Sequence, residues 1–135
     1  GELVIDHEVD SYDTPVDGVG CGECHRCREA CPTGALVEDM VVDTSACISC
    51  RTIEAESERK GDLYGWIFGC EECQMCCPYN VRAEMHRNPN FDPLFDPKKI
   101  SSEEWLSMSE EEFAERFATT PLKRSGLERI KRCVK

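Results

Sequence analysis

The chain has 135 residues, eleven of them cysteine, and a formal net charge of −11. This length suits one small domain with an extension, whose core usually needs disulfide or metal staples. No apolar run approaches the roughly 18 residues that span a membrane, so no membrane segment is expected. Disulfide frameworks belong to secreted chains, and the sequence shows no signal peptide. We therefore expect metal binding in the reducing cytoplasm.

The first twenty residues alternate weakly between apolar and acidic side chains and end in Gly18-Val19-Gly20. This pattern predicts a short strand near residues 3–5, followed by a loop. Because the chain starts at Gly1 instead of methionine and stops inside a predicted helix, we expect both ends to be cuts in a longer polypeptide.

The first metal motif has the spacing C-x2-C-x2-C-x3-C-P, formed by Cys21, Cys24, Cys27, Cys31 and Pro32. This is the bacterial run that holds 4Fe–4S clusters, in which the fourth cysteine binds a second cluster. The proline ends a short helix behind that sulfur. Four cysteines in this register are a strong indication of iron–sulfur binding.

The segment between the motifs is predicted as a short strand over residues 37–42 and a helix from Cys47 to about residue 59. N-cap residues for this helix are offered by Asp43-Thr44-Ser45. Residues 64–69 form an aromatic segment. Its side chains could shield a cluster from solvent, or they could simply belong to the hydrophobic core.

The second metal motif comprises Cys70, Cys73, Cys76, Cys77 and Pro78. From Cys73 to Pro78 it repeats the C-x3-C-P register of the first motif. Such a repeat is expected of two-cluster ferredoxins, in which each half lends one cysteine to the other half's cluster. The sequence therefore predicts an α+β fold, a small bacterial two-cluster ferredoxin-like domain with a helical C-terminal extension.

Exchange of ligands between the halves assigns eight of the eleven cysteines. Cluster one would take Cys21, Cys24, Cys27 and Cys77. Cluster two would take Cys31, Cys70 and Cys73 together with Cys47, for which Cys50 is the alternative. Cys76 competes with Cys77 but lacks the following proline. His25 is interpreted as an exposed turn residue beside the cluster, and Cys133 as a small hydrophobic side chain.

The chain beyond residue 87 changes in character. A proline-punctuated linker follows, and capping boxes at Ser101 and Ser109 predict helices from about residues 102 and 110. A third helix is predicted after Thr120, with Leu127 and Ile130 on its apolar side. We expect a boundary that separates residues 1–87 from residues 88–135.

The last fifteen residues carry a net charge of +5, while the preceding 120 carry −16. A cationic helix on an anionic body suits a phosphate-rich partner. The candidate phosphate contacts are Lys123, Arg124, Arg129, Lys131 and Arg132, although a merely solvated helix face is the alternative.

Several segments together resemble epoxyqueuosine reductase. The most specific are Cys47-Ile48-Ser49 with Thr52-Ile53-Glu54, and Ile67-Phe68-Gly69-Cys70. The C-terminal tail resembles the start of that family's helical-repeat (HEAT-like) region. Two departures stand out, because the family usually has Tyr where this chain has Cys50 and Trp where it has Tyr79.

The resemblance implies reduction of epoxyqueuosine to queuosine in the anticodon loop of tRNA, with two 4Fe–4S clusters and cobalamin. It implies that a cobalamin-binding catalytic domain precedes this part, which alone would not catalyse, and it favours Cys47 as the eighth ligand. An external one-electron donor such as ferredoxin or flavodoxin, no membrane partner and a monomer are expected. The alternatives are a stand-alone ferredoxin-type carrier, the relay of another cobalamin-dependent reductase such as a reductive dehalogenase, and a structural zinc module.

Overall fold

A computed structural model describes residues 4–14, 20–54 and 61–134, and these ranges form a mixed fold of short helices and one small β-hairpin. The helices are α1 (Arg26–Ala30), α2 (Ile48–Ile53), α3 (Glu72–Met75), α4 (Pro78–Val81), α5 (Ser102–Ser107), α6 (Glu110–Phe117), α7 (Leu122–Ser125) and α8 (Leu127–Cys133). One-turn 3-10 helices lie at Pro89–Phe91 and Pro97–Lys99. The predicted α+β class is confirmed. Among the described residues, no helix has the length and apolarity that a membrane crossing requires.

The hairpin corrects the prediction of a single strand over residues 37–42. Strand β1 (Leu36–Glu38) pairs antiparallel with β2 (Val41–Val42), and Leu36 lies opposite Val42. The chain reverses between the strands at Met40, whose φ of 63° is left-handed and therefore unusual for a residue with a side chain. The predicted N-terminal strand is absent from residues 4–14, and the rest of that prediction lies outside the described residues.

Helix α2 begins later than the predicted caps suggest, because Cys47 is its N-cap residue and Asp43 shapes the turn before it. The Asp43 carboxylate accepts hydrogen bonds from the Ser45 amide at 2.8 Å and the Ser45 hydroxyl at 2.6 Å. The helix ends at Ile53. Its predicted continuation reaches residues 55–60, which lie outside the described structure.

The predicted caps of the C-terminal helices are confirmed. The Ser101 and Ser109 hydroxyls accept hydrogen bonds from the Glu104 and Glu112 amides, each at 3.1 Å. These bonds satisfy amides at the starts of α5 and α6 that have no partner inside the helix.

The single third helix predicted after Thr120 is instead two helices, α7 and α8, which are separated at Gly126. Its φ of 75° and ψ of 158° interrupt the helix, a conformation that glycine adopts easily. Leu127 and Ile130 are buried as expected, and Val134 packs against the core just beyond the end of α8.

The main hydrophobic core lies among the C-terminal helices, and the cysteine-bearing part packs onto it. Its buried members are Trp105, Met108, Phe113, Phe117, Leu122, Leu127 and Ile130. The Phe117 ring contacts both Trp105 and Phe113, with centroids 5.3 and 5.2 Å apart. Ile67 and Phe68, from just before the second cysteine motif, pack against this cluster. Helix α2 also contacts α7 and α8, so the two parts of the chain adjoin closely.

Replacing Phe117 by alanine is expected to lower the free energy of unfolding by about 3–5 kcal/mol, because it removes the ring at the centre of the core. Urea unfolding of the cluster-loaded protein, followed anaerobically by circular dichroism, measures the change. The control is Leu106→Ala on α5, whose side chain is 51% exposed, with an expected effect within about 0.5 kcal/mol. Equal losses in the two variants would contradict this description of the core.

Candidate metal centre

Four cysteines line one cavity of about 350 Å³, and they are Cys21, Cys24, Cys27 and Cys77. The first two lie in a turn before α1, in which the Cys24 amide donates to the Cys21 carbonyl at 3.1 Å. Cys27 is in α1, and Cys77 is the N-cap residue of α4. The Tyr79 hydroxyl donates to the Gly20 carbonyl at 3.0 Å and so ties α4 to the start of the first motif.

A second cavity, of about 100 Å³, is lined by the other four predicted ligands, Cys31, Cys47, Cys70 and Cys73. Cys31 and Cys47 stand at the end of α1 and the start of α2, whereas Cys70 precedes α3 and Cys73 lies within it. The rest of the lining is mixed: Pro32, Ala35, Leu36, Val42 and Ile48 are apolar, and Thr33, Ser49, Glu71 and Glu72 are polar or acidic. The structure therefore brings together both predicted sets of four thiols.

The two cavities exchange residues between the motifs. Cys27 in α1 faces the first cavity and Cys31, one turn later, faces the second. Cys73 in α3 faces the second cavity and Cys77 the first. Helices α1 and α3 contact each other, so the exchange occurs where the two halves meet. This is the arrangement of two-cluster ferredoxins.

Hydrogen bonds and burial act in opposite directions on the thiols of the second cavity. Burial alone would raise the pKa of Cys31, but bonds from Thr33 and from the Ala35 and Leu36 amides outweigh it and lower that pKa. The Ala35 amide lies 3.3 Å from the Cys31 sulfur. Burial raises the pKa of Cys73, and the neighbouring Cys31 sulfur raises it further.

The donor sets fit iron–sulfur clusters. Each cavity presents four sulfurs, the number that one cubane takes, and amide donors to sulfur such as Ala35 are a known means of tuning cluster potentials. In the described part of the chain, no three cysteine, histidine or carboxylate side chains lie close enough together to hold a single metal ion.

The rival ligands are placed differently, and Cys76 lies close to the first cavity. Burial raises the pKa of its thiol, and the neighbouring Cys27 sulfur raises it further. Among the described residues that line the two cavities, neither Cys50 nor Cys76 is present. The Cys76 thiol donates to the Cys73 carbonyl at 3.4 Å. The His25 ring lies 3.5 Å from the Asp39 carboxylate. Cys133 is buried in α8, where burial raises its pKa.

Four of the five basic tail residues have partners in the described part of the chain, three of them outside their own helix. Arg124 forms an ion pair with Glu54 at 2.6 Å. Arg129 donates to the Ile53 carbonyl, and the Lys131 ammonium donates to the Met108 carbonyl at 2.8 Å. Lys123, Arg124 and Arg132 are exposed, and the Arg132 Nε donates to a carbonyl of its own helix at 3.3 Å.

Sequence reasoning gave no role to Thr52, which is fully buried and hydrogen-bonds to the segment before Cys70. The sequence does not distinguish Thr52 from Ser49 and Arg51, the other polar residues of its helix, and its partner is distant in sequence. Nothing local in the sequence names that partner.

Comparisons with known proteins agree with this geometry. Residues 20–80 match the family described as a 4Fe-4S double cluster binding domain. Among curated proteins, the chain is 39% identical to the epoxyqueuosine reductase of Cyclobacterium marinum, over 97% of this chain and 42% of that protein. It is 38% identical to the Escherichia coli epoxyqueuosine reductase, over 93% of this chain and 34% of that protein.

Solved structures give the same result. The chain is similar to the epoxyqueuosine reductase of Bacillus subtilis, with a TM-score of 0.76 and 31% identity over 92% of this chain and 34% of that one. An epoxyqueuosine reductase crystallised with an epoxyqueuosine-modified tRNA-Tyr stem loop matches with a TM-score of 0.77, at the same identity and coverage. The chain thus spans less than half the length of these relatives. In sequence and in structure, the chain is therefore similar to one part of epoxyqueuosine reductases, and its residues 20–80 match a 4Fe-4S double cluster binding domain.

Proposed function

We propose that this chain is the electron-relay part of a cobalamin-dependent epoxyqueuosine reductase. The observation that carries the proposal is the pair of cavities, each lined by four cysteines drawn from both motifs. The similarity over nearly the whole chain to epoxyqueuosine reductases supports the same function. Eleven cysteines without a disulfide among them favour the reducing cytoplasm as its compartment.

The proposed ligands of cluster one are Cys21, Cys24, Cys27 and Cys77, and those of cluster two are Cys31, Cys47, Cys70 and Cys73. Bound clusters of this kind supply one-electron transfer. The chain's own residues hold the thiolates in place and donate hydrogen bonds to sulfur, as Ala35 does to Cys31. The hairpin residues Leu36 and Val42 cover the second cavity.

The proposed reaction can use such a relay. Reducing the epoxide of epoxyqueuosine to the alkene of queuosine consumes two electrons and two protons and releases one water. A one-electron donor such as ferredoxin or flavodoxin would deliver the electrons singly. The cobalamin domain would lie in the part of the relatives that this chain does not span, and the anticodon loop of tRNA would be the substrate.

The full-length protein, purified anaerobically, is expected to hold about eight iron and eight labile sulfide per chain. With cobalamin and a one-electron reductant, it is expected to convert an epoxyqueuosine-modified stem loop to the queuosine form, followed by mass spectrometry of the nucleosides. A protein with zinc and no sulfide would contradict the iron–sulfur proposal. A protein with both clusters that leaves the stem loop unchanged would contradict the reductase proposal and favour a ferredoxin-type carrier.

Alanine variants at two neighbouring cysteines test the ligand assignment. We expect Cys47→Ala to lose one cluster and fall to about four iron per chain, because it removes a thiolate from the second cavity. Cys50→Ala is the matched control and is expected to keep about eight. Iron and sulfide assays, with electron paramagnetic resonance of the reduced protein, distinguish the two. The reverse pattern would mean that Cys50 is the ligand.

Two of the three exposed basic tail residues among those described test the proposed contact with tRNA. Lys123→Gln combined with Arg132→Gln is expected to weaken binding of the stem loop by the full-length protein. Its logarithmic salt dependence should fall by about one for each phosphate that the variant no longer neutralises. The control is Lys98→Gln combined with Lys99→Gln in the linker, which removes the same charge elsewhere. Equal salt slopes in both double variants and the unmodified protein would make the tail a solvated surface.

A further inference from the structure

We propose that Thr52 is a positioning residue for cluster two, which fixes the helix that carries Cys47 to the segment that carries Cys70. The inference rests on the proposed ligand set. The Thr52 hydroxyl bonds to backbone groups and not to a sulfur. It would act on the cluster by keeping the two segments that carry Cys47 and Cys70 in a fixed relative position.

Thr52 is the one polar residue that is fully buried among the described residues, with 0% exposure. Its hydroxyl lies 3.0 Å from the Ile48 carbonyl and 3.2 Å from the Ser49 carbonyl, both within its own helix. The same oxygen accepts a hydrogen bond from the Gly69 amide at 3.0 Å. A threonine in a helix often bonds back to its own carbonyls, but here the oxygen also satisfies a donor seventeen residues away.

This hydrogen bond joins two segments that each end in a proposed ligand. Cys47 stands at the start of α2, and Cys70 directly follows Gly69. In the described residues, no backbone hydrogen bond links α2 to the segment 61–70. A second tie is the Arg51 guanidinium, which donates to the Gly61 carbonyl at 2.7 Å and the Asp62 carbonyl at 3.2 Å, and both of these residues are farther from Cys70 in sequence than Gly69 is.

The backbone around Cys70 needs such an anchor. Gly69 and Glu71, on either side of it, both have left-handed φ values, of 72° and 64°. That conformation is costly for a residue with a side chain, such as Glu71, and persists only where the surroundings hold it. The Thr52 oxygen holds the Gly69 amide and so fixes the direction in which the chain enters the second cavity.

The other end of α2 is held by the C-terminal helices. The Ser125 hydroxyl donates to the Thr52 carbonyl at 3.4 Å, and Arg129 donates to the carbonyl of the next residue, Ile53. Thr52 therefore connects the C-terminal helices, through its carbonyl, to the second cavity, through its hydroxyl. A change at Thr52 is therefore expected to alter the distance between Cys47 and Cys70.

Thr52→Val keeps the shape of the side chain and removes the hydroxyl, which leaves the Gly69 amide without its partner. We expect it to release cluster two to an iron chelator on the order of tenfold faster than the unmodified protein, since such a loss is costly. Thr52→Ser keeps the hydroxyl and is expected to stay within about twofold. Iron release from the full-length protein is followed anaerobically, and electron paramagnetic resonance identifies the cluster that is lost.

The structural control is Phe113→Leu in the C-terminal core, which is expected to lower the melting temperature without selective loss of one cluster. The inference would be overturned if Thr52→Val released cluster two at the same rate as the unmodified protein and kept the same cluster-two reduction potential. If Thr52→Val does not fold, hydrogen exchange in the unmodified protein decides, because a fast-exchanging Gly69 amide would show that the bond is absent. An unmodified protein without two clusters would instead overturn the proposed function.

Discussion

The structure depends on one constraint, which is that two short helices, each together with the turn that follows it, must present thiols to two different cavities. Helices α1 and α3 lie against each other, and one turn of chain separates the sulfur that faces one cavity from the sulfur that faces the other. The two sites are therefore not independent, because a shift of either helix moves ligands of both. With so little regular structure around them, the proposed clusters take the place of a conventional core in this part of the chain.

Sequence reasoning succeeded where the decisive interactions are local. The spacing of Cys21, Cys24 and Cys27 and the serine caps of α5 and α6 each lie within one or two turns of chain, and the structure follows them. It failed where the signal was weak or the partner distant. The turn at Met40 contains no glycine, which would have indicated a chain reversal, so the hairpin was predicted as one strand. The glycine at position 126 is evident in the sequence, but nothing in the neighbouring residues required the helix to end there.

The basic residues of the tail have more than one role, which their net charge alone does not reveal. Its net charge pointed to a phosphate-rich partner, yet Arg124, Arg129 and Lys131 contact a glutamate or carbonyls of this chain. A guanidinium beside the last carbonyls of α2 also offsets the negative end of that helix. Composition alone could not separate these residues from Lys123 and Arg132, because the difference lies in which neighbours the fold provides.

The order of these contacts along the chain has a consequence for synthesis. The last of the eight cavity-lining thiols is Cys77, whereas the residues that hold the far end of α2 are Ser125 and Arg129. Because proteins are made from the N-terminus onward, a nascent chain on the ribosome exposes all eight of these thiols before α2 has its support. The first cavity can close as soon as residue 77 emerges. The second reaches its final shape only when α7 and α8 have followed, so the two halves of this pseudo-symmetric site mature at different times.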